Sequence, residues 1–385
     1  MNIIQVCPYD LSIPGGVQTH IAYLSNQLVK KKHNVLIIAP SLKNSGAEIK
    51  FNGEVLHITN SRRIKLWGTS IDVSILGKKE KQKFREILND FAPDVIHFHT
   101  IWNPLMQTQL LWMAKDKTKC VATFHDTPPD FGIGKHVGGN LMKLAARYYL
   151  PRLDEIISVS ESQAQAMGVD SKAAPPNFRV LPNGIDTSIK EKYCRPGKDD
   201  GDKTFNLIFI GRLEKRKGLE DLLEVYRRLK NEAEVNHKKI SLSVLGDGPL
   251  SETAQKYVAE HKLEDITFYP DTSDEEKFEL LADSDLLVAP SLYGESFGIV
   301  LLEAMALGIK VAGYGNSGYL NIGREYGVEN FPEPGDKNAL FNVIKNHIMN
   351  PDTTEHLIKK GFDIANKHDW KVITHEIENI YQRQS

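Results

Sequence analysis

Gly294-Glu-Ser-Phe-Gly-Ile-Val-Leu-Leu-Glu-Ala-Met-Ala-Leu307 comes shortly after Asp285-Leu-Leu-Val-Ala-Pro290. The earlier run reads as a short buried strand. Glu295-Ser296-Phe297-Gly298 reads as the entry to a helix, and Ile299 to Leu307 as its body. A strand, a loop of small residues and a helix N-terminus present free backbone N–H groups and the positive end of a dipole, which suits a phosphate. Gly298 lets an anion come close to the backbone. Glu303, inside the helix, can accept hydrogen bonds from both hydroxyls of a ribose. Glu295, outside it, is free to face whatever the diphosphate carries. The stretch reads as a nucleotide-sugar cradle. An amphipathic helix with acids near its start, favoured by its dipole, fits the same residues.

The surrounding chain alternates strand and helix patterns. In the second half, strands are expected at Phe205–Ile210, Ile240–Leu245, Ile266–Tyr269 and Ile309–Ala312, and helices from Gly218, Asp336, Thr353 and His368. The last carries Val372, Ile373, Ile377, Ile380 and Tyr381 as its apolar side. Gly211-Arg-Leu-Glu-Lys-Arg-Lys-Gly218 places Arg212 and Lys217 around a loop that leads into a helix, as a diphosphate leaving group requires. Lys215 and Arg216 could be phosphate contacts too, with solvated surface the preferred reading. Asp283-Ser-Asp285 is a D-x-D. It runs straight into the buried strand, so end capping is preferred to metal binding, and no metal is expected.

In the first half, Asn2–Cys7 and Asn34–Ala39 are strands flanking a helix that Gly15-Gly16 opens, a βαβ unit without the G-x-G-x-x-G fingerprint. Such a glycine pair can admit a phosphate or simply make a turn. Residues 41–76 read as less regular. Lys78–Asp90 is a basic helix with Phe84, Ile87 and Leu88 on its apolar side. It serves either as a solvated surface or as a docking face for anionic lipid. Two further strands end in His99 and His125, and active sites of open α/β sheets gather beyond strand carboxyl ends.

A chain of 385 residues with 41% hydrophobic and 25% charged residues fits two soluble globular domains. Cys7, Cys120 and Cys194 are far apart, which disfavours a disulfide framework or a zinc site. No bilayer-spanning run or secretory leader is seen, so a cytosolic protein is expected. The net charge of −2 hides an asymmetry: 21 basic against 15 acidic residues over 1–176, then 27 against 35.

With these residues in view, E-x7-E with S-F-G after its first Glu is similar to the donor motif of the family 4 retaining glycosyltransferases. Val121–Asp126 (VATFHD), Pro182–Asp186 (PNGID) and GRLEKRKG resemble further landmarks of that family, in family order. The start, CPYDLSIPGGVQTHIAYLSNQL, resembles bacterial phosphatidylinositol mannosyltransferases. The resemblance implies a GT-B fold: two Rossmann-like domains, 1–183 and 184–366, facing across a cleft, with a terminal helix, 367–385, crossing back to the first.

It also implies roles. Gly15, Gly16, Arg212, Lys217, Ser296, Phe297, Gly298, Ile299 and Val300 meet the donor diphosphate, Glu303 the ribose and Glu295 the sugar. His125 faces the sugar and acceptor, and Tyr9, Gln18 and His99 lie on the acceptor side. The co-substrate is a UDP- or GDP-sugar, with no other cofactor. The partner is a glycan or lipid-linked acceptor, with reversible contact with an anionic membrane surface and no nucleic acid. A small soluble acceptor, an epimerase of the same architecture and a non-catalytic nucleotide-sugar-binding protein are the competing readings.

Overall fold

The computed structural model describes residues 1–13, 15–42, 51–66, 69–101, 105–115, 117–125, 140, 143–170, 173–193, 204–232, 235, 238–295 and 297–383. Two compact units emerge: Met1–Gly184 with Trp370–Ser385, and Ile185–Asp369. The chain passes from one to the other at residues 184–185 and returns at 369–370.

The first unit is built on β1 (Asn2–Val6), β2 (Asn34–Ser41), β3 (Glu54–Leu66), β4 (Thr69–Ser74), β5 (Val95–His99), β6 (Lys119–Phe124), β7 (Glu155–Ser158) and β8 (Phe178–Val180). Their order is β4-β3-β2-β1-β5-β6-β7-β8. Every pairing is parallel except β3 with β4. The central strands are buried along nearly their whole length, as a sheet covered on both faces demands, and their apolar runs are interrupted by Gln5, His97, His99 and Thr123. From β1 the order steps one way through β2 and β3, then the other way from β5, so a topological switch lies between β1 and β5.

Within the stretch read as irregular, Glu54–Leu66 and Thr69–Ser74 are strands. β3 and β4 pair antiparallel, with Arg62 opposite Val73 and Arg63 opposite Asp72. The basic cluster therefore sits on a strand. Arg62-Arg63-Ile64-Lys65 has no alternation of its own, and it becomes a strand by pairing with its neighbour in the sheet.

The second unit carries β9 (Phe205–Ile210), β10 (Ile240–Leu245), β11 (Ile266–Tyr269), β12 (Leu286–Ala289) and β13 (Lys310–Gly313), in the order β11-β10-β9-β12-β13, all parallel. Its switch point falls between β9 and β12. Helix Leu219–Asn231 follows β9 and helix Ile299–Ala306 follows β12.

Helix Trp370–Gln382 covers the first sheet. Trp370, Ile373, Ile377, Ile380 and Tyr381 recur at helical spacing and pack with Ile3, Leu24, Leu28, Val35, Val121 and Ile157. Val372, expected on that face, is 45% exposed, because Trp370 leads the stripe and the 3.6-residue period turns position 372 outward. Gly184 makes room for Trp370: a Cβ there would stand 2.5 Å from the indole.

Ile377 is 1% exposed. Its truncation to Ala should destabilise the first unit by about 2–5 kcal/mol. Urea melts followed by tryptophan fluorescence check this; a change below about 1 kcal/mol would show that the helix is not an integral part of that core.

Candidate active site

At the switch of the second sheet, β9 leads into Gly211 and Arg212, and β12 into Pro290. The loop after β9 makes one short 3-10 turn, Lys215–Lys217, before its helix. Lys217 Nζ donates to Glu295 Oε1 at 2.6 Å, and Arg216 Nη1 donates to the same oxygen at 3.0 Å. Arg216 also reaches the Gly294 carbonyl at 3.2 Å, and its Nε reaches Glu214 Oε1 at 2.7 Å.

Two expectations change here. Glu295 is not free: its side chain is 12% exposed and engaged by two cations. Arg216 is not solvated surface but part of that cluster. Arg212 is 69% exposed, with Glu214 4.0 Å away. Three cations against two carboxylates leave one positive charge in surplus at the sheet's switch point.

Gly298 opens the helix at φ +90°, and a Cβ there would lie 2.8 Å from the Tyr319 ring, so both conformation and space call for glycine. Phe297 is buried, its ring 5.4 Å from that of His368. Ile299 is exposed and Val300 half-buried; Ser296 lies outside the described residues. The first-turn N–H groups of Ile299 and Val300 have no intrahelical carbonyl to meet.

One turn further on, Glu303 accepts from Lys277 Nζ at 3.1 Å, and Asp274 stands 3.4 Å from the same ammonium. Burial holds the Glu303 carboxyl above its ordinary value, and Lys277 offsets that only in part. Lys277 escaped the sequence reading. It rides on helix Asp274–Ala282, whose signal was present: Ser273 caps the N–H of Glu276 at 3.1 Å, the S-x-x-E pattern of a capping box. The D-x-D closes that helix at Asp283 and anchors a strand at Asp285, whose Oδ2 accepts from Asn206 N at 2.7 Å.

In the first unit, Gly15 caps helix Gly16–Lys30 in extended conformation, and a Cβ on Gly16 would meet nothing within 4 Å. Tyr9 is half-buried; Gln18 is buried, its Nε2 3.4 Å from the Asp10 carbonyl. β5 and β6 pair in register His99 to Thr123, so His99 and His125 emerge at one edge.

His125 Nε2 and His99 Nδ1 are 3.0 Å apart, and His99 Nε2 is 2.7 Å from Gln5 Oε1. The Gln5 amide donates to the Tyr381 hydroxyl at 3.1 Å. That hydroxyl lies 2.7 Å from His97 Nδ1, and His97 Nε2 lies 2.7 Å from Thr123 Oγ1. Because Gln5 Oε1 can only accept, His99 carries its proton on Nε2. Its Nδ1 then accepts from His125 Nε2–H. His99 is fully buried behind His125 and so cannot present a ring to an acceptor, contrary to its expected place.

His20 Nδ1 lies 3.0 Å from Asn183 Oδ1, and its ring stands edge-on to His125 at 4.6 Å. Burial holds the imidazoles neutral: His20 is pushed down to about 4, and His97, His99 and His125 well below their ordinary value.

Residues 14–189 match the family model described as Glycosyltransferase Family 4, and residues 194–363 the one described as Glycosyl transferases group 1. A phosphatidyl-myo-inositol mannosyltransferase of Mycobacterium leprae is 25% identical over 404 residues, covering 99% of this chain and 96% of that one. A glycogen synthase of Mycobacterium tuberculosis is 23% identical over 414 residues, covering 99% and 94%. Among solved structures, Anabaena HepE in complex with UDP and glucose superposes with a TM-score of 0.73 at 18% identity, over 100% of both chains. Sucrose-phosphate synthase of Thermosynechococcus elongatus does so at 0.71 and 17%, over 99% and 98%.

The four neutral histidines make stability depend on pH. Their folded pKa values lie below the unfolded value near 6.5. Their contribution is therefore whole above that pH and is lost as pH falls toward about 4, where His20 titrates. Melting temperature should drop steadily between pH 7 and pH 5, with each histidine costing up to about 1.4 kcal/mol per pH unit. A flat melting temperature over that range would contradict the neutral assignment.

Proposed function

We infer from its two family matches that the chain belongs to the family 4 and group 1 glycosyltransferases, whose GT-B fold of two parallel-sheet α/β domains it has. From that premise we propose that it moves a hexose, with retention at the anomeric carbon, from a UDP- or GDP-sugar to a glycan or lipid-linked acceptor in cell-envelope glycan synthesis.

The observation that carries this reading is the convergence of Lys217 and Arg216 on one oxygen of Glu295, beside a helix N-terminus opened by Gly298. A carboxylate so placed stands in for the diphosphate. When the donor arrives, its phosphates exchange with Glu295 for the two cations, Arg212 swings in from solvent, and Glu295 turns to the sugar hydroxyls. Glu303 takes the ribose hydroxyls while Lys277 keeps its charge balanced. His125 meets the transferred sugar. The leaving phosphate accepts the proton of the attacking hydroxyl on the same face, which needs positioning and a cationic clamp but no protein nucleophile.

Support for a lipid-linked acceptor comes from two sides. The phosphatidyl-myo-inositol mannosyltransferases are similar over their full length. The first unit also presents exposed cations, Lys78, Lys79, Lys83 and Arg85, on helix Lys78–Asp90 above buried Phe84 and Leu88. The same unit exposes Trp112 and Tyr148, bonded at 2.9 Å, with Arg152 over both rings. Aromatic and cationic groups together suit a headgroup layer.

Replacing Lys217 or Arg212 by Ala should cost about 2–4 kcal/mol of transition-state stabilisation, read as kcat/KM. Near-normal turnover in both variants would sink the phosphate assignment. Glu303→Gln should raise donor KM more than it lowers kcat, and should lose discrimination against a 2′-deoxyribose donor; retained discrimination would exclude Glu303 as the ribose ligand. Pelleting with vesicles should rise with anionic lipid and fall with salt. It should also weaken when Lys78, Lys79, Lys81 and Lys83 become Glu. Equal pelleting with neutral vesicles would favour a soluble acceptor.

A further inference from the structure

Three histidines from three elements converge in the first unit: His20 on helix Gly16–Lys30, His99 at the end of β5 and His125 just past β6. One ring nitrogen of each lies within 4.8 Å of the other two, and all three side chains are buried. The far nitrogens are tied to amide carbonyl oxygens: His20 Nδ1 to Asn183 Oδ1 at 3.0 Å, and His99 Nε2 to Gln5 Oε1 at 2.7 Å. A carbonyl oxygen takes the N–H, so His20 Nε2 and His99 Nδ1 are left as lone-pair nitrogens. His20 Nε2 is buried and finds no hydrogen-bond partner among the described residues. An acceptor left dry in this way is costly unless something fills its place.

We propose that His20, His99 and His125 bind one divalent transition-metal ion of the zinc class. The donor set is three neutral imidazoles, which suits zinc, copper, nickel or cobalt and not magnesium or calcium. Anchoring of the far nitrogens by carbonyl oxygens is the outer-shell arrangement that fixes a metal-ligating histidine. Tetrahedral zinc, with bonds of about 2.0–2.1 Å, holds its nitrogens roughly 3.4 Å apart. The His99–His125 pair, at 3.0 Å, is already close to that spacing, and His20 has only to close in from within 4.8 Å.

One proton stands in the way, that on His125 Nε2. It moves to His125 Nδ1, the freed lone pair joins the other two, and the ion exchanges all but one of its waters for imidazoles. The imidazoles release no net proton. The expectation of no metal came from D-x-D and cysteine spacing, and neither reports on residues as far apart in sequence as these. An ion here would also tie down His125. Inhibition of transfer by zinc, relieved by a chelator, therefore follows, and that clause alone rests on the proposed function.

The test uses the full chain, stripped with chelator and titrated with Co2+ at neutral pH without nucleotide sugar. One Co2+ per chain should bind with the intense visible bands of a four-coordinate site, and one equivalent of Zn2+ should displace it. His20→Gln should abolish the bands. Asn183→Ala, which leaves all three ligands in place, should weaken binding by about 10–100-fold. Should His20→Gln fail to fold, the Asn183 variant decides. Absence of saturable Co2+ or Zn2+ binding to the wild-type chain would overturn the proposal, and so would equal binding by the wild-type, His20→Gln and Asn183→Ala proteins. Because the spectrum needs no sugar, its failure leaves the transferase reading untouched, and failure of transfer leaves the metal result standing.

Discussion

One carboxylate oxygen, Glu295 Oε1, holds Lys217 and Arg216 at 2.6 and 3.0 Å, and the second unit is arranged to make that meeting possible. The cations come from the loop after β9 and the acid from the loop after β12. These loops are neighbours only because the strand order reverses between those two strands. Charges this little exposed are costly unless compensated, and like charges gathered in one loop repel. Glu295 and Glu214 offset most of that repulsion while no ligand is bound. The surplus positive charge, with Arg212 left in solvent, marks what the arrangement is suited to receive: a multiply charged anion that can outbid a single carboxylate.

The first unit depends on a different constraint. A chain of buried polar groups runs from Thr123 through His97, Tyr381, Gln5 and His99 to His125. Buried polar groups of this kind stabilise only when each has its partner. Tyr381 supplies the central link, and it comes from the last helix of the chain, so closing the network requires that helix to return to the first sheet. Burial of Trp370, Ile373, Ile377 and Ile380 brings it there. The apolar stripe and the polar chain therefore select the same docking of one helix, and the orientation of the His125 ring depends on both.

Much of this was legible in the sequence. The βα alternation, the strand ending at His99, the strand running to just before His125, the turn that opens the helix after Glu295 and the amphipathic terminal helix follow from local periodicity and turn chemistry, whereas the donor reading of E-x7-E came with the family resemblance. The misses share a cause. β3 and β4 read as irregular because their pattern takes shape against a sheet edge. Arg216 read as surface because its partner, Glu295, is 79 residues away. Glu295 read as free, and the Lys277 partner of Glu303 went unread, because no local pattern announces an ion pair between distant segments. Lys277 could have been found, since Ser273 and Glu276 announce its helix. The histidine cluster could not: residues 20, 99 and 125 meet only through the register of β5 and β6 and the packing of the first helix.

The central claim is that the second unit holds a nucleotide diphospho-sugar at the turn between β12 and its helix. A ligand that binds the folded chain raises its apparent stability, by about 2.7 kcal/mol at a hundredfold excess over Kd. The most direct measurement is therefore the melting temperature of the full chain against a panel of UDP-, GDP- and ADP-sugars. The account predicts a saturable rise with the sugars of one base, matched by the corresponding free diphosphate and absent with the nucleoside alone. No rise with any diphospho-sugar at saturating concentration, or an equal rise with the bare nucleoside, would contradict it.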